Sequence, residues 1–325
     1  MEYLKLFKPQ KHLNMDRRIF LKAVAVAGLI SKVKIAEGLG VLTQHSAKSI
    51  TAKPDLVAVM GGDPVVMFRK AIAEMGGMGS YVKRGSKVTL KPNIGWDRTP
   101  ELAANTNPEL VGEIVRQCLQ AGAKEVLVFD HTCDEWRKCY QNSGIADAVN
   151  KAGGKMVPGN EETYYRNVDI PNGVNLKQTK VHQAILDSDV WINIPVLKMH
   201  GGAKMSISMK NLMGIVWDRR YFHDHNLQQC IADCSALAKK PVLNVVDGYR
   251  VIKSNGPQGR TLSDVVVPKG LFISSDIVAV DTAATKFFDQ ISPVNIESVG
   301  HIKKAEALKL GTTHLETLNV KRIKV

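Results

Sequence analysis

The run Lys198-Met199-His200-Gly201-Gly202-Ala203-Lys204 sets two lysines and a histidine around a pair of glycines. Ammonium groups bind carboxylates and phosphates as point charges, and an imidazole carries protons near neutral pH. Glycines let backbone N–H groups come close to such an anion. The chemistry implied is recognition of a small carboxylate or phosphate, with His200 as the proton carrier. Lysines that crowd together lower one another's pKa, so one of them, with Lys198 the first candidate, is also a potential base or nucleophile. A nearby carboxylate, Asp247 or Asp130, would orient the imidazole or bind a metal.

These groups act together only if the chain folds to gather them. The run follows Asp189 to Leu197, whose Val, Trp, Ile and Leu read as a buried strand of an α/β sheet, and such sheets bind ligands at the carboxyl ends of their strands. Other strand ends carry matching chemistry: Lys91 and Asn93 close VTLKPN, Asp130 closes EVLVFD and Asp247 closes NVVD. Downstream, Ala203 to Val216 is expected to be a helix, entered at Gly201 and Gly202, whose free N–H groups point at the same place. On that helix Met205, Met209, Leu212 and Val216 form the core face. Lys204 shares a stripe with Ser208 and Asn211, whereas Lys210 falls on a third stripe with Ser206 and Gly214, so the two lysines need not serve one pocket. The following WDRRYFHDH, Trp217 to His225, is either a lid or a solvated turn.

The alternation of strand, loop and helix predicts an α/β fold. Its sheet is expected to be mostly parallel with helices on both faces, Rossmann-like, with a small β excursion between residues 160 and 180. Expected strands lie near 53–60, 87–93, 125–130, 155–158, 189–197, 241–247 and 318–325, and 264–268 with 271–275 form an expected strand pair. Expected helices include 64–75, 108–120, 143–152, 227–237 and 277–288.

A chain of 325 residues with net charge +13 is large enough for one α/β domain, here taken as 53–325. Residues 1–47 hold eight Lys or Arg and three acids, so the remainder has 36 basic against 28 acidic residues and keeps a net charge of +8. No dense basic run with interleaved aromatics and no zinc-finger spacing is present, which disfavours nucleic acid as the partner and favours a small anionic molecule. His131 and Cys133 with Cys139 allow a metal, a disulfide or free thiols; Cys230 and Cys234 read as small buried residues one helical turn apart. The five cysteines include no C-x-x-C pair, which excludes the usual ferredoxin-type cluster. Walker, H-E-x-x-H, G-x-G-x-x-G and nucleophile-elbow motifs are also missing, so neither a reaction type nor a cofactor can be read from a motif.

Near the start, MDRRIFLKAVAVAGLI (residues 15–30) sets Arg17 and Arg18 before a short, Ala-rich apolar stretch and resembles a twin-arginine translocation signal. The resemblance implies export of a folded protein by the twin-arginine machinery to the periplasm or beyond. Residues 1–47 would be the signal, or, uncleaved, an anchor. The stretch is short for a stable membrane span.

From about Lys53 onward, VTLKPN, NIPVLKMHGGAKMSISMKNLMGIV, NVVDG and SSDIVAVDTAATKFF followed by HIKKAEALKLG resemble, in that order, the domain-of-unknown-function family 362. The resemblance singles out Lys91, Asn93, Pro195, Lys198, His200, Lys210, Asn211, Gly214, Asp247, Asp276 and Asp281. It adds Lys210 and Asn211 to the binding residues and implies no particular activity. Two further readings stay open. One is a non-catalytic redox accessory holding a cofactor or metal through His131, Cys133, His200, His223 and His225. The other is a basic protein that adheres to anionic membrane surfaces.

Overall fold

The computed structural model describes residues 53–325. The twin-arginine signal and the anchor expected at 15–30 lie outside the described residues. Thirteen strands occur among the described residues: β1 (Leu56–Met60), β2 (Lys87–Pro92), β3 (Glu125–Val128), β4 (Lys155–Met156), β5 (Tyr165–Asp169), β6 (Gln178–His182), β7 (Val190–Ile194), β8 (Val196–His200), β9 (Lys204–Ser206), β10 (Leu243–Ile252), β11 (Val265–Val266), β12 (Gly270–Ser274) and β13 (Val320–Lys324). Eleven of them form one mixed, mostly parallel sheet whose main path is β13-β1-β12-β10-β7-β2-β3-β4. Strand β12 runs antiparallel to both of its neighbours. The expected excursion is the separate antiparallel pair β5 and β6.

Helices cover both faces, as strand alternation requires. On β12, Leu271 and Ile273 join the core packed beneath the helix Pro64–Glu74, while Phe272 points the other way and meets Phe287 of the helix Ile277–Asp289 at a ring-centroid distance of 5.2 Å. The first helix starts as its sequence dictates, with Asp63 accepting from Val66 N at 2.9 Å and Pro64 in the first turn. Likewise Asn107 caps Pro108–Gln120. Between β11 and β12 the expectation of a strand pair is corrected: each pairs with β10, not with the other.

A larger correction concerns the expected helix from Ala203 to Val216. Pro195 separates β7 from β8, and Gly201-Gly202-Ala203 then turns β8 back onto β9 as an antiparallel hairpin, with Lys204 in the left-handed region at φ 66°. Helix begins only at Ser208–Asn211 and tightens into a 3-10 turn over Leu212–Ile215. Met205, Met209, Leu212 and Val216 are all buried, as the helical stripe required, although only part of the segment is helical.

Candidate functional site

Alternation along β2 sends Val88 and Leu90 into the core packed against Pro108–Gln120 and turns Thr89 and Lys91 to the opposite face. Lys91 is 1% exposed. Its ammonium donates to Asn211 Oδ1 at 2.8 Å and to the Pro92 carbonyl at 2.9 Å, and it pairs with Asp130 Oδ1 at 2.8 Å. The other oxygen of Asp130 accepts from Ile94 N at 2.7 Å. Burial pulls the Lys91 pKa down, and the Asp130 carboxylate opposes that shift. Gly214 roofs the pair: a Cβ there would overlap Asp130 Oδ1 and lie 2.6 Å from Lys91 Nζ, so only glycine fits.

The pairing register extends this polar point into a row. Lys91 stands opposite Asn193 on β7, Asn193 opposite Asn244 on β10, and Asn244 opposite Ser274 on β12. All four are buried. Asn211 bridges the first two by donating to Asn193 Oδ1 at 2.9 Å, Asn193 donates to Asn244 Oδ1 at 2.9 Å, and Asn244 Nδ2 reaches the Ser274 carbonyl at 3.4 Å. Buried amides survive only when bonded this way, and the satisfied row fixes Asn211 and Lys91 in place. Asn93 reaches the same Asn211 oxygen at 3.3 Å.

The row ends at a cleft of ≈ 430 Å³ at the carboxyl ends of β2 and β3. Five Lys or Arg side chains (Lys91, Lys198, Lys210, Arg219, Arg220) line it against one carboxylate, Asp130, which is already engaged by Lys91. Lys198, also 1% exposed, comes from β8 and donates to the Ala104 carbonyl. Burial, reinforced by the Lys210 charge, pushes its pKa down to about 7. Lys210, at the end of the short helix, is half-buried, and its ammonium has no hydrogen-bond or ion-pair partner among the described residues. Burial, with Arg219 and Lys91 nearby, pushes it down to about 8. Arg219 is clamped by donating to the carbonyls of His131 (2.7 Å) and Thr132 (2.8 Å), and its Nη1 lies 3.3 Å from Cys133 Sγ.

Two histidines in the wall have readable tautomers. His200 Nδ1 accepts from Ala203 N at 3.1 Å, which leaves the proton on Nε2. Burial and then the charges of Lys210 and Lys198 push its pKa down to about 3. At neutral pH it is therefore a neutral hydrogen-bond donor, which corrects the expectation of an imidazole titrating near neutrality. His131 Nδ1 lies 2.9 Å from the Val216 carbonyl and must donate to it; the ring stacks on Trp217 at 5.0 Å, and burial and Arg219 push its pKa down to about 4.

Of the sequence-predicted residues, the cleft gathers Lys91, Asn93, Asp130, Lys198, His200, Lys210 and Asn211. Asp247, Gly201, Gly202 and Lys204 are not in its wall. Asp247 is buried with both oxygens occupied, accepting from Asn107 N at 2.8 Å and Tyr249 N at 3.0 Å, and burial raises its pKa to about 6. It anchors the start of Pro108–Gln120. Lys204, Gly201 and Gly202 are exposed at the hairpin turn, and a Cβ at Gly201 would meet nothing within 4 Å. The helix N-terminus expected to hold an anion is already filled: Asp281 accepts from Ser208 N at 2.8 Å and Met209 N at 2.9 Å. Sequence reasoning did not assign His131, Cys133, Arg219 or His223 to an anion site, although the charge-rich WDRRYFHDH was the signal for two of them. All five cysteines are free thiols, and among the described residues no three His, Cys, Asp or Glu side chains converge as a metal site.

Comparison with known proteins adds three findings. The profile of the family described as "Domain of unknown function (DUF362)" matches residues 88–286. The thylakoid-associated protein sll1697 of Synechocystis sp. is 27% identical over 245 residues, covering 73% of this chain and 74% of that protein. The lactate racemase apoprotein of Thermoanaerobacterium thermosaccharolyticum superposes with a TM-score of 0.46 at 14% identity; the match covers 74% of this chain and spans 58% of that one.

Proposed function

The chain belongs to the DUF362 family, whose description assigns no activity, and from that premise we propose that its cleft binds a small carboxylate or phosphate as substrate. The observation that carries this reading is the charge imbalance of the wall. Five cations line the wall with one carboxylate, which is internally paired; Arg220 pairs with Asp224 at 3.4 Å, and the Lys210 ammonium has no partner among the described residues. Holding unpaired ammonium groups in a partly desolvated cleft costs free energy that a bound anion offsets. Arg219, fixed by two carbonyls, and the Nε2–H of neutral His200 supply oriented donors for the oxygens of such a ligand.

Titration calorimetry with oxalate and with inorganic phosphate tests the reading. Lys210→Met should bind the preferred anion at least about tenfold more weakly, the order expected for one charged hydrogen bond. A folded Lys210→Met protein with wild-type affinity for every anion tested would sink the proposal. The reading also includes export: Arg17 and Arg18 before the Ala-rich stretch support a twin-arginine address. A reporter fused behind residues 1–52 should leave the cytoplasm, and replacing both arginines by lysine should retain it; unchanged export of the Lys-Lys form would contradict this.

A further inference from the structure

We infer that Lys210 is an imine-forming lysine, and that the anion the cleft takes is a small 2-oxo acid whose carbonyl condenses with the Lys210 amine. This inference rests on the anion reading above and names the class of substrate and the first covalent step.

The three lysines of the cleft are not equivalent. Lys91 is held by two hydrogen bonds and an ion pair and is 1% exposed. Lys198 is equally buried and donates to the Ala104 carbonyl. Lys210 alone of the three has its nitrogen free among the described residues, and it is reachable from the cleft. An amine attacks a carbonyl only as the neutral base, and a lysine beside other cations in a desolvated pocket is the arrangement that supplies one at neutral pH. Its neighbours provide that setting, since burial and the charges of Arg219 and Lys91 favour the neutral amine.

The same neighbours select the substrate. A 2-oxo acid carries its carboxylate one bond from its carbonyl, so Lys198 and Arg219 can hold the negative end while Lys210 meets the carbonyl carbon. A phosphate or a simple carboxylate satisfies the cations but offers Lys210 no electrophile. In the step itself, the Lys210 nitrogen lone pair forms an N–C bond and the C=O π electrons move to oxygen. A proton passes from nitrogen to that oxygen, the hydroxyl takes one further proton and leaves as water, and the nitrogen lone pair closes the C=N⁺ bond. Amine, carbonyl compound and one proton become iminium and water, with no oxidant or reductant needed. His200, neutral with its proton on Nε2, and His223 line the same wall as hydrogen-bonding partners for the departing oxygen.

The experiment treats the full chain with pyruvate and sodium borohydride, which reduces an iminium to a stable secondary amine, and then maps the adduct by peptide mass spectrometry. The expected result is one adduct, on Lys210, lost in Lys210→Arg. That variant should keep a native circular dichroism spectrum, which shows that the lost adduct does not reflect a lost fold. Mapping on the wild type does not depend on the variant folding. Oxalate binding without any trapped adduct, or adducts spread over exposed lysines such as Lys204, overturns the imine and leaves the anion reading standing. A wild-type chain that binds neither oxalate nor pyruvate overturns both.

Discussion

Lys91 and Lys210 line the same cleft, and the difference between them separates framework from chemistry. Lys91 is the more deeply buried, yet two acceptors and a carboxylate satisfy its ammonium, and through Asn211 it joins a hydrogen-bonded row across four strands. Lys210 is less buried and has none of these partners among the described residues. Burial therefore does not single out the lysine proposed as reactive; an unmet hydrogen-bonding capacity does. The surroundings of Lys91 hold geometry, and Lys210 is where the proposed anion would gain most.

The largest loss should come at the framework. Lys91→Met leaves Asp130 buried opposite an apolar side chain and should lower unfolding free energy by about 3–5 kcal/mol, measured by chemical denaturation. A loss below about 1 kcal/mol would mean that the pair is not an anchor. Gly214→Ala forces a methyl group onto the same pair, overlapping Asp130 Oδ1, and should cost about 1–3 kcal/mol through displaced side chains. At the second lysine, Lys210→Met should leave stability within about 0.5 kcal/mol, because it removes an unpaired cation, while weakening anion binding about tenfold. The smallest effect belongs to Lys204→Ala, which should change neither stability nor anion affinity beyond about 0.5 kcal/mol, since its side chain stands in solvent at the hairpin turn.

Protonation sharpens the contrast further. A bound anion raises the pKa values of Lys198 and Lys210 above their free-state values of about 7 and about 8. The gain in affinity is complete below those free values, falls as pH climbs past them, and is gone once pH exceeds the raised values of the complex. Affinity for an anion whose own charge is constant should thus decline above neutral pH. Lys210→Met should remove the part of the decline that begins at the higher of the two free values.

Much of this was legible in the sequence because sheets obey simple periodicities. VTLKPN, EVLVFD and DVWINIP announced parallel strands, and the rule that ligands gather at strand ends then picked Lys91, Asn93, Asp130 and Lys198. Pairing register was not legible, so the row formed by Lys91, Asn193, Asn244 and Ser274 could not be foreseen from residues so far apart in the chain.

The expected helix from Ala203 failed for a related reason. The stretch from Met205 to Val216 has helical spacing of its apolar residues, but Met205 and Ser206 also alternate, and pairing with β8 decided in favour of a strand. Asp247 was marked as a site residue because it closes a strand, and Asp281 was singled out by the family resemblance, yet acids at strand and helix ends are found both in sites and in caps. Only the positions of the Asn107, Ser208 and Met209 N–H groups distinguish the two roles. Lys210 was separated from Lys204 by helical stripe, and the structure keeps that separation with the roles reversed: Lys210 lines the cleft and Lys204 does not.

The assignment of Lys210 as the anion-binding group is tested most directly by calorimetric titration of the full chain and its Lys210→Met variant with oxalate. The charge of oxalate is constant between about pH 6 and about pH 9, the window that brackets the two lysine values. The wild type should bind with an affinity that weakens toward the alkaline end, and the variant should bind more weakly at the acid end and depend less on pH. Equal affinity and equal pH dependence in the two folded proteins would contradict the assignment.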